Sequence, residues 1–287
     1  MNSFQLIVNP ASGGGAASAQ GVAVARLLRD AGAETTLTFS NGELHSREVA
    51  RESSARGDVV VAVGGDGMVR SVVGTVVETG GVLGIVPGGR GNDFARQLGL
   101  SAKAEEIAAT LLAGRVRKVD VIEVGGEIVV GSVYAGVDSL ASELVNAARF
   151  IPRKLQYQYA AVRALLTCRL RTYTLTIDGE SRTLAAFTVI VANSGYYGSG
   201  MHVAPKAEVD DGILDIVVLG GASKYALLRS MPKVYDGSHV DLDIVTVLRG
   251  SSVRIEAEGV TAYADGDRLA ELPVDVIVRP GAVTILV

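Results

Sequence analysis

The sequence is poor in the residues that build disulfides and metal clusters. It has one cysteine, Cys168, three histidines and no tryptophan among 287 residues. One cysteine excludes an internal disulfide and a cysteine-based zinc cluster, and three histidines argue against a histidine-rich metal site. No apolar run approaches the ~20 residues of a membrane-spanning helix, and the longest runs have the length of a strand. The net charge of −4 gives no general signal for a nucleic-acid partner.

What remains is the composition of a folded soluble protein, with 48% hydrophobic and 20% charged residues. A chain of 287 residues can form one large domain or two smaller ones. The first residues, Met1 to Phe4, show no basic segment followed by an apolar one. We therefore expect no secretory signal and a cytoplasmic location.

Strands and helices alternate along the chain up to Ala113. The predicted strands are Phe4–Val8, Glu34–Phe39, Val59–Val63 and Val82–Pro87, and the predicted helices are Ala19–Ala31, Leu44–Arg56, Met68–Glu78, Asp93–Leu98 and Ala104–Ala113. Alternation of this kind predicts a mainly parallel sheet with helices on both faces.

The pattern changes after about Asp120, where strand candidates follow one another. They are Val119–Val124, Glu127–Tyr134, Tyr173–Ile177, Thr183–Ala192, Ile213–Leu219, Ser252–Ala257, Ala262–Ala264, Val274–Val278 and Val283–Val287, interrupted by helical stretches at Ser139–Arg171 and Lys224–Tyr235. Strand-after-strand order predicts an antiparallel sheet or sandwich. We therefore expect two domains, residues 1–122 and 123–287, with a ligand cleft between them. The C-terminal strand can return to either domain.

Two glycine-rich loops follow two hydrophobic strands, and each loop precedes a helix. Gly64-Gly65-Asp66-Gly67 follows the strand Val59–Val63, and Gly88–Asp93 follows the strand Val82–Pro87. An open parallel sheet binds ligands outside the carboxyl ends of its strands, where glycines let backbone N–H groups approach phosphate oxygens. The alternative for the first loop is a sharp turn in which Asp66 caps the helix. Together the two loops predict one phosphate-binding cleft.

Other loops are less specific when each is taken alone. The turn Asn9–Gly15 is also typical of a plain turn, and it is not a Walker A loop because no Gly-Lys-Ser/Thr follows. The later loops lack the Gly-x-Gly-x-x-Gly spacing of dinucleotide sites. Asp210-Asp211-Gly212 and Asp265-Gly266-Asp267 are each typical of turns.

In combination these motifs carry more information. In the first half they are Asn9-Pro10 with its glycine-rich tail, Gly64–Gly67 and Pro87–Arg96, and in the second half Asn193–Met201, Ala204-Pro205, Asp210–Asp215 and Asp265–Asp267. They occur in order from residue 9 to residue 267 and so cover nearly the whole chain. In this combination the sequence resembles the diacylglycerol kinase catalytic-domain family, which includes bacterial soluble lipid kinases, sphingosine kinases and ceramide kinases.

The resemblance implies an α/β fold of two domains. The first would be a Rossmann-like parallel α/β domain, distantly similar to NAD kinases and 6-phosphofructokinases. The second would be a β-rich antiparallel sandwich domain, with the active site in the cleft between the two.

The implied activity is transfer of the γ-phosphate of ATP, with Mg²⁺, to a lipid hydroxyl, with diacylglycerol as the expected acceptor and phosphatidic acid as the product. Phosphoryl transfer needs positioning, charge neutralisation by Mg²⁺ and a carboxylate that accepts the hydroxyl proton. The alternatives are a sphingoid, ceramide or other lipid acceptor, an NAD-kinase-like or sugar-type kinase, and a non-catalytic nucleotide- or lipid-binding relative.

The resemblance also assigns residues to the nucleotide and to catalysis. The nucleotide positions are Asn9, Pro10, Ser12, Gly13, Thr38, Gly64, Gly65, Asp66, Gly67, Met68, Arg70, Gly89, Arg90, Asn92 and Asp93. Catalysis would rest on Asp66, Asp265 and Asp267. In this assignment Asp66 holds Mg²⁺ or orients the acceptor hydroxyl, and the Asp265–Asp267 element supplies the general base.

A structural Mg²⁺ site is implied separately at Asp210, the Ile213 carbonyl and Asp215, with Asp120 as a supporting carboxylate nearby. Oxygen ligands of this kind suit Mg²⁺, which commonly keeps several waters and uses one or two carboxylates.

The chain departs from the family pattern at several positions. The family usually has Thr where this chain has Met68, Asn-Glu where it has Arg70-Ser71, a hydroxyl residue where it has Arg90, and Glu where it has Asp267. Met68 removes a hydroxyl that could bind phosphate, and we expect Arg90 to compensate because a guanidinium binds phosphate bidentately. The aspartate side chain is one methylene shorter than glutamate, which leaves the base open between Asp265 and Asp267.

The stretch Ser139–Arg171 combines basic residues with aliphatic and aromatic ones. Its basic residues are Arg149, Arg153, Lys154, Arg163, Arg169 and Arg171. Such a mixture predicts contact with anionic lipid and a peripheral location at the inner face of the membrane. The alternative is an amphipathic helix packed on the sheet, broken or kinked at Pro152. Exposed antiparallel strands leave a homodimer as an option.

Overall fold

The computed structural model describes residues 3–147 and 156–287. The part up to Val124 alternates strands and helices in these elements: β1 Ser3–Val8, α1 Ala16–Asp30, β2 Glu34–Phe39, α2 Glu43–Arg56, β3 Val59–Gly64, α3 Asp66–Thr79, β4 Val82–Pro87, α4 Asp93–Gln97, α5 Ala104–Ala113 and β5 Val116–Val124. Strands β1 to β4 are parallel and lie in the order β2-β1-β3-β4. The predicted parallel α/β architecture is confirmed.

Helices cover both faces of this sheet because successive side chains of a strand point in opposite directions. On one face Val61 packs with Leu28 of α1 and Leu111 of α5. On the other face Val60 packs with Val72 of α3. Burial on both faces accounts for the unbroken apolar run in β3.

The carboxyl ends of the central strands lie side by side. Val8 of β1 pairs with Val63 of β3, and Gly64 of β3 pairs with Pro87 of β4. The three loops that follow these strands therefore start from the same edge of the sheet.

The second half of the chain is rich in strands. Its elements are β6 Glu127–Val129, β7 Ser132–Gly136, α6 Val137–Ala147, α7 Gln156–Thr167, β8 Arg171–Ile177, β9 Glu180–Ala192, β10 Tyr196–Tyr197, β11 Met201–His202, β12 Leu214–Gly220, α8 Lys224–Asp236, β13 Val245–Gly250, β14 Ser252–Glu256, β15 Thr261–Ala264, β16 Asp267–Glu271 and β17 Val274–Leu286. Neighbouring strands among these pair antiparallel, as in β7 with β9 and β9 with β12. The predicted antiparallel β-rich half is confirmed.

The last strand joins the two halves of the chain. Its first part pairs antiparallel with β14 and β5, and Thr284 near its end pairs in parallel with Val82 of β4. The register with β5 shifts between Arg279 and Val283. The two strands predicted in this region are therefore one strand with an irregularity in the middle.

Some local predictions differ from the structure. The predicted strand Glu127–Tyr134 falls on two strands, β6 and β7. The predicted helical stretch Ser139–Arg171 covers most of α6, all of α7 and the first residue of β8. The sequence does not predict β13 and β16, because these strands are largely exposed and lack the alternation of a half-buried strand.

The stretch expected to contact lipid is described only in part. Arg149, Pro152, Arg153 and Lys154 lie outside the described residues. Among the helices of residues 3–147 and 156–287, none is long and apolar enough to cross a membrane.

Candidate active site

Three glycine-rich loops meet at the carboxyl edge of the parallel sheet. The Gly88 N–H donates to the Gly64 carbonyl at 2.7 Å, and the Gly65 N–H donates to Ser12 Oγ at 3.0 Å. A Cβ atom on Gly89 would lie 2.4 Å from the Gly65 Cα atom, so the loops approach more closely than side chains allow. Backbone amides in loops of this kind form the usual cradle for phosphate.

The first loop is shaped by Asn9 and Gly13. Asn9 Oδ1 accepts a hydrogen bond from the Ala11 N–H at 3.0 Å, and Pro10 between them is exposed. Gly13 has a φ of 60°, and a Cβ there would lie 2.4 Å from the Gly88 carbonyl oxygen. The first loop therefore needs glycine where it meets the loop after β4.

Thr38, Gly67 and Met68 lie around the loops in different surroundings. The Thr38 hydroxyl, at the end of β2, accepts a hydrogen bond from Gln5 Nε2 at 2.9 Å. Gly67 lies in the first turn of α3, with no atom within 4 Å of the position of a Cβ. Met68 is 3% exposed and belongs to the same core cluster as Phe94. The Met68 side chain therefore fills the core below the loop.

The second loop is held by Asn92, which has a φ of 50°. Asn92 Oδ1 accepts a hydrogen bond from the Gly89 N–H at 2.8 Å, and Asn92 Nδ2 donates to the Gly89 carbonyl at 3.2 Å. Arg90, between them in sequence, is exposed, and its guanidinium has no hydrogen bond or ion pair within the described residues. An uncommitted guanidinium beside a glycine cradle is available to an anion.

Two carboxylates of the N-terminal half face each other behind this loop. Asp66 Oδ1 accepts a hydrogen bond from the Phe94 N–H at 3.1 Å. A Cβ on Gly91 would lie 3.1 Å from Asp66 Oδ2 and 3.0 Å from Asp93 Oδ2. Burial raises the pKa of Asp93 above its ordinary value, and the negative charge of Asp66 raises it further.

Asp265 faces these carboxylates from the C-terminal half. Its carboxylate accepts backbone hydrogen bonds from Ser132 at 2.9 Å, Gly131 at 3.2 Å and Val130 at 3.3 Å. Burial is the largest cause that raises the pKa of Asp265, to about 6, and the charge of Asp66 contributes. The structure thus brings the predicted catalytic residues Asp66 and Asp265 into electrostatic contact.

Asp267 forms an ion pair with Arg70 across the two halves of the chain. Arg70 lies on α3 with 16% of its side chain exposed, whereas the Asp267 side chain is 66% exposed. The structure therefore pairs these two predicted site residues with each other.

In the loop expected to bind a structural Mg²⁺, arginine side chains form ion pairs with the aspartates. Asp210 accepts hydrogen bonds from Arg117 Nε at 2.8 Å and Nη2 at 2.7 Å, which hold the pKa of Asp210 below its usual range. Arg249 contacts Asp215 at 3.6 Å, and burial raises the pKa of Asp215. The buried Asp120 carboxylate accepts two backbone N–H groups, both at 2.7 Å.

The donor atoms of this loop decide how well it fits a metal ion. The Ile213 N–H donates to Asp211 Oδ1 at 3.0 Å, and the buried Asp215 Oδ2 has no hydrogen-bond partner within the described residues. One carboxylate oxygen is thus free for a ligand, while Asp210 is committed to Arg117. In the part of the chain that the structure describes, no group of three or more His, Cys, Asp and Glu side chains is arranged to hold a metal.

An apolar cavity of about 140 Å³ lies in the C-terminal half. Its walls include Ile190 of β9, Val217 of β12 and Met231 of α8. The polar side chain of Asp138 also lines it, where the carboxylate accepts hydrogen bonds from Thr188 Oγ1 at 2.6 Å and from the Tyr197 hydroxyl. Burial raises the pKa of Asp138. Sequence reasoning did not identify Asp138, because a single aspartate at the start of a helix is also typical of an ordinary turn.

The β10–β11 hairpin connects this cavity to the carboxylates. Tyr197 and Met201 of the hairpin line the cavity. The backbone N–H groups of Ser199 and Gly200 donate to the two carboxylate oxygens of Asp93 at 2.8 and 2.7 Å. One short hairpin therefore contacts both Asp93 and the apolar cavity.

Gln97, which sequence reasoning also missed, anchors the hairpin to α4. Its Oε1 accepts a hydrogen bond from the Gly195 N–H at 3.1 Å, and its Nε2 donates to the Ala207 carbonyl at 3.1 Å. No local pattern marks a glutamine that bonds to backbone groups about a hundred residues away.

Comparisons with known proteins agree with this architecture. Residues 3–124 match the diacylglycerol kinase catalytic domain, and residues 131–287 match the YegS C-terminal NAD kinase beta sandwich-like domain. A diacylglycerol kinase of Mycobacterium tuberculosis is 34% identical over 98% of this chain and 93% of its own length. A diacylglycerol kinase of Bacillus subtilis is 25% identical over 95% of this chain and 92% of its own length.

A crystal structure of a diacylglycerol kinase from Bacillus anthracis superposes with a TM-score of 0.78 at 22% identity, covering 99% of this chain and 96% of that one. At this identity the structural likeness shows the fold. The chain belongs to the diacylglycerol kinase catalytic-domain family and is a kinase of the lipid kinase class.

Proposed function

We propose that this protein transfers the γ-phosphate of ATP to the hydroxyl of a lipid, with diacylglycerol as the acceptor and phosphatidic acid as the product. The observation that carries the proposal is the β10–β11 hairpin, which contacts Asp93 with its tip and lines the apolar cavity with Tyr197 and Met201. The glycine-rich loops and the apolar cavity are thereby linked through one hairpin. A sugar or nucleotide acceptor would not need such a cavity.

The nucleotide phosphates would lie against the backbone N–H groups of the three loops, with Arg90 at their open side. Asp66 would hold Mg²⁺ at the phosphates, because its Oδ1 accepts the Phe94 N–H while its Oδ2 lies near the Gly91 backbone. Mg²⁺, when bound, neutralises charge on the phosphoryl group. The acceptor oxygen bonds to the γ-phosphorus, the bond to ADP breaks, and a carboxylate of the Asp265–Asp267 element accepts the hydroxyl proton.

The cavity would receive an acyl chain. Its volume of about 140 Å³ is small beside a pair of long acyl chains. One chain would therefore enter it while the rest of the lipid stays at the bilayer. Asp138 at the wall offers a hydrogen-bonding group to a polar part of the lipid.

Peripheral membrane association is part of the proposal. Leu166 on α7, Leu170 just after it and Tyr225 on α8 are exposed apolar side chains. Lys224 of α8 donates to carbonyls at the end of α7, which places these two helix ends side by side. Together with the exposed Arg169, they form a basic and apolar surface suited to anionic lipid. Co-sedimentation with anionic vesicles, compared between wild type and a Leu166→Ser/Leu170→Ser variant, tests this surface.

The location we propose is the inner face of the cytoplasmic membrane. We also propose a homodimer through an exposed sheet edge, such as that of β2. Light scattering would test it by measuring the molar mass in solution.

The deciding experiment is transfer of labelled γ-phosphate from ATP with Mg²⁺ to diacylglycerol, monoacylglycerol, ceramide and sphingosine in mixed micelles. We expect labelled phosphatidic acid, its loss on chelation of Mg²⁺, and its loss in Asp66→Ala. Transfer to ceramide or sphingosine in place of diacylglycerol would keep the lipid kinase and change the acceptor. Nucleotide binding without transfer to any lipid would refute the proposed activity.

A further inference from the structure

Arg70 and Asp267 meet from opposite halves of the chain. Arg70 projects from α3 of the parallel domain, and Asp267 opens the edge strand β16 of the antiparallel half. Their ion pair joins positions that are 197 residues apart in sequence. The two ends differ in environment, because Arg70 is 16% exposed and Asp267 is 66% exposed. The arginine end is therefore largely enclosed, and the carboxylate end is open to solvent.

This environment separates Arg70 from the other arginine of the site. Arg70 Nε is buried without a hydrogen-bond partner within the described residues, and the other side of its guanidinium is committed to Asp267. Arg90, by contrast, is exposed beside the glycine loops. A guanidinium that is already paired with a carboxylate is a poor phosphate ligand, because the carboxylate offsets its charge and repels the phosphate.

The carboxylate of Asp265 is also committed. It accepts three backbone N–H groups, from Val130, Gly131 and Ser132. A Cβ on Gly131 would lie 2.3 Å from Asp265 Oδ1, so the contact is close. Asp265 therefore fixes the loop, whereas the open face of the Asp267 carboxylate is accessible to a substrate hydroxyl.

The two side chains are matched in length. Both positions depart from the family pattern, with arginine where asparagine is usual and aspartate where glutamate is usual. Aspartate withdraws the carboxylate by one methylene, and arginine extends the opposite side chain by several bonds. The contact between Arg70 and Asp267 therefore joins two positions at which the chain departs from the pattern that it resembles.

We propose that Arg70 is a positioning residue that holds the Asp267 carboxylate at the cleft, where Asp267 accepts the proton of the acceptor hydroxyl. This inference rests on the proposed function. In the step, the acceptor oxygen forms its bond to the γ-phosphorus, the bond between that phosphorus and the leaving oxygen of ADP breaks, and the hydroxyl proton passes to an oxygen of Asp267.

A set of exchanges tests the proposal with purified full-length protein. The variants are Arg70→Asn, Asp267→Glu, the double variant Arg70→Asn/Asp267→Glu, and Arg70→Lys. We expect Arg70→Asn to lower kcat about tenfold or more while its ATP dissociation constant, measured by calorimetry, changes less than about threefold. Asp267→Glu alone should also lower kcat, and the double variant should recover most of the loss. Arg70→Lys, which keeps the charge, should retain more activity than Arg70→Asn.

The matched control is Arg51→Gln, which removes the exposed ion pair between Arg51 of α2 and Glu78 of α3. It should leave kcat unchanged, since surface ion pairs contribute about 0–1 kcal/mol. Thermal unfolding of every variant checks that the fold is kept. If Arg70→Asn does not fold, the kcat values of Arg70→Lys and Asp267→Glu still test the contact, each compared with Arg51→Gln.

Several outcomes overturn the inference. One is a loss of ATP affinity by about tenfold or more in Arg70→Asn, which would make Arg70 a nucleotide ligand. Another is a double variant whose defect is the product of the single defects, since independent sites add in free energy. A third is wild-type kcat in Arg70→Asn. Failure of the wild type to phosphorylate any lipid would instead refute the proposed function, and the positioning role with it.

Discussion

The carboxylate of Asp93 accepts a hydrogen bond from the backbone N–H of Ser199 at 2.8 Å, across the cleft between the two halves of the chain. Its second oxygen accepts from the Gly200 N–H at 2.7 Å, and Ser199 has a φ of 70°. Asp93 is thus committed to the β10–β11 hairpin. Asp93, which the sequence predicts to contact the nucleotide, therefore binds the hairpin that lines the apolar cavity.

Asp93→Asn should loosen this hairpin. An asparagine side chain has one acceptor atom, and its NH₂ group would face a backbone N–H donor. We expect a loss of about 1–3 kcal/mol of stability and faster hydrogen exchange in residues 196–202. Lipid transfer should fall about tenfold, as a displaced hairpin misplaces the acceptor. Asp275→Asn, at an exposed ion pair with Arg254, is the control. Unchanged exchange in residues 196–202 would contradict the role.

Gly89→Ala should damage the phosphate cradle. Its Cβ would lie 2.4 Å from the Gly65 Cα atom, which is backbone and cannot rotate away. We expect a loss of about 1–3 kcal/mol in the free energy of unfolding and weaker ATP binding by calorimetry. Gly67→Ala, where the added Cβ has open space, should leave the unfolding midpoint unchanged. Equal stability of the two variants would argue against the close approach of the loops.

Arg90→Ala should raise the KM for ATP about tenfold, because the proposed phosphate contact is charge-assisted. The unfolding temperature should not change, since Arg90 is exposed and has no ion pair within the described residues. Arg26→Ala, on the exposed side of α1, controls for net charge. If Arg90→Ala kept both the KM and the kcat of the wild type, Arg90 would have no part in nucleotide binding.

Met231→Phe should shorten the apolar cavity from the side of α8. We expect transfer to long-chain diacylglycerol to fall several-fold while transfer to a short-chain diacylglycerol is kept, since a cavity of about 140 Å³ has little spare room. ATP binding should stay the same. Arg229→Lys, on the exposed side of α8, is the control. An equal loss for long and short chains would point to misfolding or to another lipid site.

Titration of Asp265 should make stability depend on pH. Its pKa rises from 3.8 to about 6 in the folded state, so the folded protein binds this proton more tightly than the unfolded chain. The stabilisation from this tighter proton binding is fully present below the pKa of the unfolded chain, and it is lost as the pH rises through about 6. Relative to Asp265→Asn, the wild type should gain about 2 kcal/mol between about pH 7 and pH 4 in urea unfolding. A difference that does not vary with pH would show that Asp265 keeps an ordinary pKa.

Much of the fold can be predicted from the local sequence. The apolar run of β3 and the helical periodicity of α3 are local patterns that can be read directly from the sequence. The alternation of such strands and helices predicts the parallel α/β order that the structure confirms. The glycines at positions 64, 65, 88 and 89 mark a close approach of backbone, because only glycine tolerates it. The predicted loops therefore meet at one edge of the sheet, as parallel strand order requires.

The sequence by itself determined the two architectures and the glycine-rich edge, because these follow from periodicity and from local backbone constraints. Only the tertiary structure decided which side chains meet across the cleft. Arg70 meets Asp267, Asp93 meets Ser199, and Arg117 meets Asp210. These contacts join residues 93 to 197 positions apart. No local pattern encodes them, since they arise only when the two halves of the chain pack against each other.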